Sequence, residues 1–171
     1  MRQPATPPTP PIVTTSMETP IGVLTLTAAE GVLTGLFMHE QRHAPVRSDA
    51  WEIEDVVFKD AIAQLTAYFE GARIEFDLPL SLDGTDFQRR VWAALREIPY
   101  GETISYGELA RRIGNPNASR AVGLANGRNP VAIIVPCHRV IGANGSLTGY
   151  AGGIDRKIWL LEHEGAALRN R

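Results

Sequence analysis

The sequence is poor in features that would assign it to several large classes of protein, and it contains a single cysteine, Cys137. One cysteine cannot form an internal disulfide framework or a zinc site with several cysteine ligands. No run of about 18 uninterrupted apolar residues occurs, so no transmembrane helix and no membrane partner are predicted. The first residues lack the apolar segment of a secretory signal, and we therefore expect a cytoplasmic protein.

The sequence also lacks a strong net charge, but its formal charge of −2 conceals an asymmetry. Residues 1–85 contain 5 Lys+Arg against 12 Asp+Glu, whereas residues 86–171 contain 12 against 7. The first half is therefore acidic and the second half basic. A polyanionic partner for the basic half and two oppositely charged domains that dock on each other both explain this distribution.

Proline and alternating apolar residues organise the start of the chain. Five of the first eleven residues are proline, which removes backbone donors and favours extended chain. We therefore expect residues 1–16 to form a disordered arm. Residues 21–28 and 32–39 are predicted strands, and Glu30-Gly31 between them suits a tight hairpin turn.

An amphipathic helix is predicted after this hairpin. Apolar residues such as Leu65 and Tyr68 recur at steps of three and four between residues 53 and 70, and Gly71 follows as a helix stop. Residues 76–82 are predicted to return as a strand. The first half is thus a small α/β unit without evident chemistry of its own.

Two capping patterns open helices in the second half. Thr85 and Gln88 predict a helix that runs to about residue 98, and Ser105 and Glu108 predict another. In both cases a hydroxyl is followed three residues later by Glu or Gln, which satisfies backbone donors reciprocally. Composition and charge change at the first of these patterns, which places a domain boundary there.

The second pattern begins a helix-turn-helix. A helix from Tyr106 should end at Gly114, and a second short helix suits residues 118–126. The bare pattern is weak, because many helical hairpins share it. The second helix is rich in small residues and carries Arg120. Close packing on a neighbouring element and close approach to a DNA groove both explain the small residues.

The lone cysteine follows a short apolar run, residues 131–135, which is predicted to be a buried strand. Pro136 ends the run, so Cys137 lies where a strand gives way to a loop. A lone cysteine is more often a small buried hydrophobe than a nucleophile. However, His138 and Arg139 add donors and positive charge, which favour a thiolate, and a bridging water could connect the thiol to the imidazole.

A carboxylate that could complete this group closes the last predicted helix. That helix covers residues 155–164 and stops at Gly165, so Glu164 lies at the negative end of the helix dipole, at a cost of about 0.3–1 kcal/mol if exposed. Glu164 could orient His138 as the third member of a nucleophile–base–orienter chain. A tolerated surface glutamate explains the same placement.

A glycine-dense stretch, residues 142–153, surrounds Tyr150. It matches neither a phosphate-binding loop nor a dinucleotide fingerprint, because the required lysine and helix context are missing. A loop that shapes a pocket and a plain surface loop both remain open.

Together these segments resemble the O6-alkylguanine-DNA alkyltransferases, also called methylated-DNA–protein-cysteine methyltransferases. The central motif is Ile134-Val135-Pro136-Cys137-His138-Arg139-Val140. Further motifs in family order cover most of residues 85–165: Thr85-Asp86-Phe87-Gln88, Pro99-Tyr100-Gly101, Ser105-Tyr106-Gly107, Arg120-Ala121-Val122-Gly123, Asn129-Pro130, Gly149-Tyr150-Ala151-Gly152-Gly153 and Trp159-Leu160-Leu161-Glu162-His163-Glu164-Gly165. Residues 1–85 resemble the N-terminal domain of the family more loosely.

The resemblance implies catalytic roles for five residues. Cys137 would accept the alkyl group, His138 would take the thiol proton through a water, and Glu164 would orient His138. Tyr106 would give a proton to the leaving base. Asn129 would be the hinge between the second helix and the active-site segment.

The resemblance also implies contacts with substrate and DNA. An arginine would fill the gap that the flipped nucleotide leaves, and neighbouring small residues would enter the groove. Tyr106 and the glycine-rich loop would contact the base and the alkyl group, and carbonyls of the segment around Cys137 would recognise the guanine edge. These positions are Arg120, Ala121, Gly123, Tyr106, Tyr150, Ala151, Gly152, Val135 and Val140.

The implied function is DNA repair by direct reversal of damage. An alkyl group of O6-alkylguanine, with O4-alkylthymine as a second candidate, would pass irreversibly to Cys137 after nucleotide flipping by a minor-groove helix-turn-helix. The partner would be double-stranded DNA, bound by a monomer that could cluster along the duplex. A non-catalytic helix-turn-helix sensor or regulator and a cysteine hydrolase are the alternatives.

No cofactor is needed, because the thiol itself accepts the group. Some family members carry zinc in the N-terminal domain, but residues 1–85 have no cysteine and only two histidines, His39 and His43. No metal site is therefore predicted.

The expected fold class is α/β (α+β). After the proline-rich arm of residues 1–16, residues 17–84 would form a small α/β domain with a hairpin and a helix. Residues 85–171 would form a mainly helical, winged-helix-like domain that binds DNA and carries the alkyl acceptor.

Overall fold

The computed structural model describes residue 5 and residues 8–168, and the N-terminal half is built on a four-stranded sheet. Its strands, in the order β3-β2-β1-β4, are β1 (Val13–Thr19), β2 (Gly22–Ala29), β3 (Val32–Met38) and the short β4 (Glu52–Ile53). The β1–β2 and β2–β3 pairs are antiparallel, whereas β4 runs parallel to β1.

The predicted hairpin is confirmed, and the predicted arm is too long. Glu30 and Gly31 at the tip of the β2–β3 hairpin have φ angles of 51° and 78°, which a type I′ turn requires. Residues 13–16 lie in β1 rather than in an arm, because their valine and threonine side chains favour a strand. Part of the predicted disorder concerns residues 1–4, 6 and 7, which lie outside the described residues.

The helix α1 (Lys59–Phe69) packs on the sheet after a 3₁₀ turn (Val56–Phe58), so it begins later than the sequence predicts. Its buried face includes Leu65 and Tyr68, both fully buried. Residues 76–82 were expected to form a strand, and that prediction is wrong: only Leu80 makes a bridge, to Leu33. Pro79 lacks the backbone donor that a continuous ladder needs.

The C-terminal half is mainly helical, as predicted. It contains α2 (Asp86–Leu95), α3 (Tyr106–Arg112), α4 (Ser119–Gly127) and α5 (Ile154–His163), with a small parallel sheet of β5 (Ile104–Ser105) and β6 (Val140–Ile141). The helix α3 packs on α4 across the turn of residues 113–118, which confirms the helix-turn-helix. The sheet of the first half and the helices of the second half confirm the α+β class. No helix within the described part of the chain is long and apolar enough to cross a membrane. The division at residues 84 and 85 stays a prediction.

Both predicted helix caps are present. Thr85 accepts from the backbone of Gln88 and the Gln88 side chain accepts from the backbone of Thr85, which completes the capping box. Ser105 accepts from the backbone of Glu108, but the Glu108 carboxylate turns to Arg111 and Arg112 on the helix surface.

The segment before Cys137 joins the two halves and is not the predicted strand. Only Val131 bridges to β3, at Leu36, and the chain then turns, with Ile133 in the left-handed region at φ 72°. The backbone of Leu36 donates to Pro130 O at 2.9 Å and accepts from Ala132 N at 3.2 Å. The N-terminal sheet therefore holds the chain that leads to the cysteine.

Candidate active site

Cys137 lies on the wall of a cavity of about 470 Å³. It opens a 3₁₀ turn (Cys137–Arg139), and only 5% of its surface is exposed. The cavity is lined by α3, α4, the glycine-rich loop and a loop of the N-terminal half, and its polar lining includes Gln41, Tyr106, Asn126, Asn129, Thr148 and Tyr150. The glycine-rich loop therefore shapes a pocket, as one of its two interpretations expects.

His138 faces away from solvent and binds Glu164. Its Nε2 lies 2.7 Å from Glu164 Oε1, and both side chains are fully buried. An ionised carboxylate can only accept, so Nε2 carries the proton and Nδ1 carries the lone pair. Within the described residues Nδ1 has no hydrogen-bond partner. The structure thus brings together the predicted orienter and base, with the basic nitrogen free.

Glu164 is the centre of a larger buried network than the sequence predicts. Arg139 donates from Nε to Oε2 and from Nη2 to Oε1, each at 2.9 Å. The Tyr68 hydroxyl donates to Oε1 at 2.8 Å. These donors offset the cost of a carboxylate at the C-terminal end of α5, so the surface-glutamate interpretation is wrong. Sequence reasoning assigned neither Arg139 nor Tyr68 to this carboxylate.

The protonation states follow from burial and from these donors. Burial would raise the pKa of Glu164, but the hydrogen bonds and charges of His138 and Arg139 hold it well below its usual range. Burial lowers the pKa of His138 against the opposing effect of Glu164. The imidazole is therefore neutral and ready to accept a proton.

The cysteine rests as a thiol. Burial raises the pKa of Cys137, and its polar neighbours Asn129, Lys157 and Tyr150 oppose that rise without cancelling it. The expectation that His138 and Arg139 favour a thiolate is therefore wrong for the resting protein. The Arg139 charge is committed to Glu164, and burial outweighs the remaining positive charge.

Lys157 is a second buried cation that the sequence analysis missed. Its Nζ donates to Val140 O at 2.6 Å and lies 6.0 Å from the centre of the Tyr150 ring. Burial lowers the pKa of Lys157 to about 8. A lysine three residues before Leu160, on the apolar face of α5, was the available signal.

Asn129 anchors the segment that carries the cysteine. Its Nδ2 donates to Val135 O at 2.7 Å, and its Oδ1 accepts from Val131 N at 3.0 Å. Asn126, which the sequence analysis missed, donates from Nδ2 to Cys137 O at 3.3 Å. Asn129 therefore lies where a hinge between α4 and the cysteine segment was expected.

Val135 and Val140, which were predicted to contact the substrate, already use their carbonyls in hydrogen bonds within the protein. The Val135 carbonyl accepts from Asn129 and also from Cys137 N, at 2.8 Å, which uses both of its lone pairs. The Val140 carbonyl accepts from Lys157. Neither residue is part of the cavity wall. The structure thus gives no support to guanine recognition by the Val135 carbonyl.

The predicted pocket residues line the cavity. Tyr106 is the first residue of α3, and its hydroxyl donates to Thr148 O at 3.3 Å. A Cβ at Gly123 would lie 3.7 Å from the Tyr106 ring, in ordinary van der Waals contact, so Gly123 and Tyr106 are neighbours on the cavity wall. A Cβ at Gly152 would overlap the Met38 sulfur, so a larger residue there would displace the Met38 side chain.

The N-terminal half holds the glycine-rich loop in place. The backbone of Arg42 donates to Ala151 O at 2.8 Å, so the loop of residues 41–43 and the glycine-rich loop lie side by side on the cavity wall. Burial raises the pKa of the Tyr150 phenol, which stays protonated beside Cys137.

The residues predicted to enter DNA lie at the outer face of α4. Arg120 and Ala121 are exposed in its first turn and do not line the cavity. Leu124 follows one turn later, is 71% exposed and reaches the cavity rim. Leu124 was not singled out by the sequence analysis. In the described residues no group of three or more His, Cys, Asp or Glu side chains could hold a metal ion.

Two family models match the chain: the ribonuclease-like domain of 6-O-methylguanine DNA methyltransferase over residues 12–82 and its DNA binding domain over residues 86–166. The chain is 60% identical over 149 residues to the methylated-DNA–protein-cysteine methyltransferase of Mycobacterium bovis, which covers 87% of this chain and 90% of that protein. It is 56% identical over 150 residues to the Methanosarcina acetivorans protein of the same name, with 87% and 96% covered.

A solved structure shows the same architecture. Mycobacterium tuberculosis OGT in complex with DNA matches with a TM-score of 0.85 and 58% sequence identity, over 90% of this chain and 92% of that chain.

Proposed function

The chain belongs to the 6-O-methylguanine DNA methyltransferase family, and on this premise we propose that it repairs DNA by transferring an alkyl group from guanine O6 to Cys137. One observation of the site carries the assignment of Cys137. The thiol lies on a cavity wall, and the next residue is a neutral imidazole whose other nitrogen is fixed by a buried carboxylate. That is the arrangement of an activated nucleophile.

The transfer begins with the thiol proton. His138 Nδ1 accepts it through a water, while Nε2 stays bonded to Glu164, which stabilises the imidazolium that forms. The sulfur then forms a bond to the alkyl carbon as the bond between that carbon and O6 breaks. The electron pair of the broken bond passes to the guanine.

Proton delivery keeps the leaving guanine neutral. Tyr106 lies on the cavity wall. The hydrogen bond from its hydroxyl to Thr148 O is long, so the hydroxyl can exchange it for a hydrogen bond to the guanine. Tyr106 gives a proton to the leaving guanine and takes one back from the His138 imidazolium. Burial raises the pKa of Tyr106, so the phenol carries its proton at neutral pH.

The reaction ends with a thioether. A carbon–sulfur bond of this kind has no activated centre for water to attack, so each protein molecule reacts once. The group is accepted without a diffusible cofactor.

Access to the base requires a distorted duplex. The target alkyl group lies inside DNA, and rotating its nucleotide out costs a few kcal/mol. The small residues of α4 let the helix approach the minor groove, and Arg120 at its exposed start fills the vacated place. The exposed Leu124 lies between Arg120 and the cavity, where it would pack against the groove wall.

Mass spectrometry tests the proposal directly. After incubation with a duplex that contains O6-methylguanine, the peptide with Cys137 should gain one methyl group per molecule, and no more than one equivalent of DNA should be repaired. Cys137→Ala should bind the duplex and repair none. Loss of substrate without a mass change in this peptide would contradict the proposal.

The same experiment separates the alternatives. A cysteine hydrolase would consume many equivalents of substrate, and a non-catalytic sensor would leave both DNA and peptide unchanged. The sensor has no use for the His138–Glu164 pair. DNA binding should also weaken as salt is added, because phosphate contacts release counterions.

A further inference from the structure

We propose that Tyr68, in the N-terminal half, is a positioning residue for alkyl transfer, an inference that rests on the proposed function. Its hydroxyl donates to Glu164 Oε1 at 2.8 Å across 96 positions of sequence. The same oxygen accepts from His138 Nε2 at 2.7 Å. The carboxylate that orients the base is therefore shared by both halves of the chain.

The phenol is fixed in place on all sides. Tyr68 is fully buried, and its ring lies 5.3 Å from Phe69, 5.4 Å from Phe76 and 5.2 Å from His163, measured between ring centres. Its backbone oxygen accepts from His163 Nε2 at 2.6 Å. Because the ring is buried among these close neighbours, its hydroxyl donor is preorganised toward Glu164.

The hydroxyl adjusts how strongly Glu164 holds its other partners. Oε1 accepts from Tyr68, His138 and Arg139, and each donor draws negative charge from the oxygen. Without the phenol, the carboxylate would stabilise the imidazolium of His138 more strongly. More His138 would then be protonated before the thiol proton arrives, and it could not act as a base.

The charged groups around the pair are all accounted for. His138 is faced by Glu164 and Lys157 from α5 and by its neighbour Arg139. Glu164 is faced by His138 and Arg139, by the neutral phenols of Tyr100 and Tyr150 and, from the N-terminal half, by the neutral Tyr68. Burial and the nearby carboxylate keep the pKa of Tyr68 far above its ordinary value, so the phenol donates throughout the working pH range.

The test is the pH dependence of single-turnover transfer from an O6-methylguanine duplex. In Tyr68→Phe the rate constant should fall about tenfold on the acidic limb, which is the size expected for a lost hydrogen bond to a charged group, and by less at neutral pH, where more of the imidazole stays neutral. The acidic limb of the profile should move to higher pH, and the rate should approach that of the unmodified protein at alkaline pH.

Tyr100→Phe is the matched control. The Tyr100 ring is 6.1 Å from Tyr68, but its hydroxyl bonds to the His163 carbonyl and not to Glu164. We expect this variant to keep both the rate and the position of the acidic limb. A Tyr68→Phe profile with an unmoved midpoint, including a uniform loss at every pH, would assign Tyr68 a packing role only and overturn the inference.

A second variant keeps the proposal testable if Tyr68→Phe does not fold. Fluorotyrosine at position 68 retains the ring and the hydroxyl and is a stronger donor, so the acidic limb should move to lower pH. No movement, or movement to higher pH, would overturn the inference. Failure of the unmodified protein to alkylate Cys137 would instead contradict the proposed function.

Discussion

The two sides of Cys137 differ sharply in access. On one side lies an open cavity, whose wall includes the neutral side chains of Tyr106 and Tyr150 and the basic side chains of Arg42 and Arg128. On the other side, His138, Arg139 and Glu164 form a sealed network that carries formal charge. The groups that would contact the substrate and the groups that would move the thiol proton therefore lie on opposite sides of one residue, Cys137. Substitutions on the sealed side should therefore damage folding and transfer together, whereas cavity substitutions should damage transfer alone.

The largest effect is expected for Glu164→Gln. This change leaves Arg139 buried without its counter-charge, and breaking a buried pair in this way costs about 3–5 kcal/mol of unfolding free energy. Transfer should fall about hundredfold or more, because His138 loses its orienter. Urea denaturation and single-turnover kinetics measure the two losses.

Glu162→Gln is the control for this substitution. Glu162 lies on the same helix, two residues earlier, and is exposed. It should change stability by less than about 0.5 kcal/mol and leave transfer unaltered. Equal losses in both variants would show that the sealed network has no special role.

Tyr106→Phe should separate the two sides most clearly. Its hydroxyl makes one long hydrogen bond at the cavity wall, so the free energy of unfolding should change by less than about 1 kcal/mol. Transfer should fall about hundredfold, since the leaving guanine loses its acid. A large loss of stability, or an unchanged rate, would remove Tyr106 from the proposed mechanism.

Arg120→Ala probes the outer face of α4. Repair of duplex DNA should fall about tenfold or more, because the side chain that offsets lost stacking is absent. Reaction with free O6-benzylguanine should stay the same, since that substrate needs no flipping. If both reactions fell equally, Arg120 would have a structural role.

The sealed side should also make stability depend on pH, gradually and without any substitution. The pKa of His138 is lowered in the folded protein, so below about pH 6.5 the unfolded chain binds a proton that the folded chain does not. Stability should decline by up to about 1.4 kcal/mol per pH unit on acidification, and Glu164 should add to the decline below about pH 4.5.

Chemical denaturation at a series of pH values measures this decline. His138→Gln removes the first titrating group and should flatten the curve between neutral pH and the onset of the Glu164 effect. The same slope in both proteins would mean that another group is responsible.

The sequence predicted the chemistry better than the backbone around it. Cys137, His138 and Glu164 were assigned together from motifs, and the hydrogen bond between His138 and Glu164 agrees with one link of that group, while the link from Cys137 to His138 stays a prediction. The strand predicted over residues 131–135 was wrong because an apolar, β-branched run indicates burial more securely than it indicates an extended backbone.

Other features depend on tertiary contacts that local patterns do not report. Tyr68 was assigned correctly to an apolar helix face, yet nothing near it in sequence reveals a hydroxyl bonded to Glu164. Lys157 and Asn126 are polar residues on apolar faces, and their burial becomes visible only when the neighbouring segments are in place. The β1 strand was missed because the prolines before it dominated the local composition.

The left-handed turn at Ile133 has a mechanical consequence. A β-branched residue at a φ of 72° is held against its own preference, at a cost on the order of 1–2 kcal/mol, by the hydrogen bonds and packing around it. Because these contacts fix the backbone that leads to Cys137, we expect the Cys137 sulfur to move over only a short range, even in the free protein.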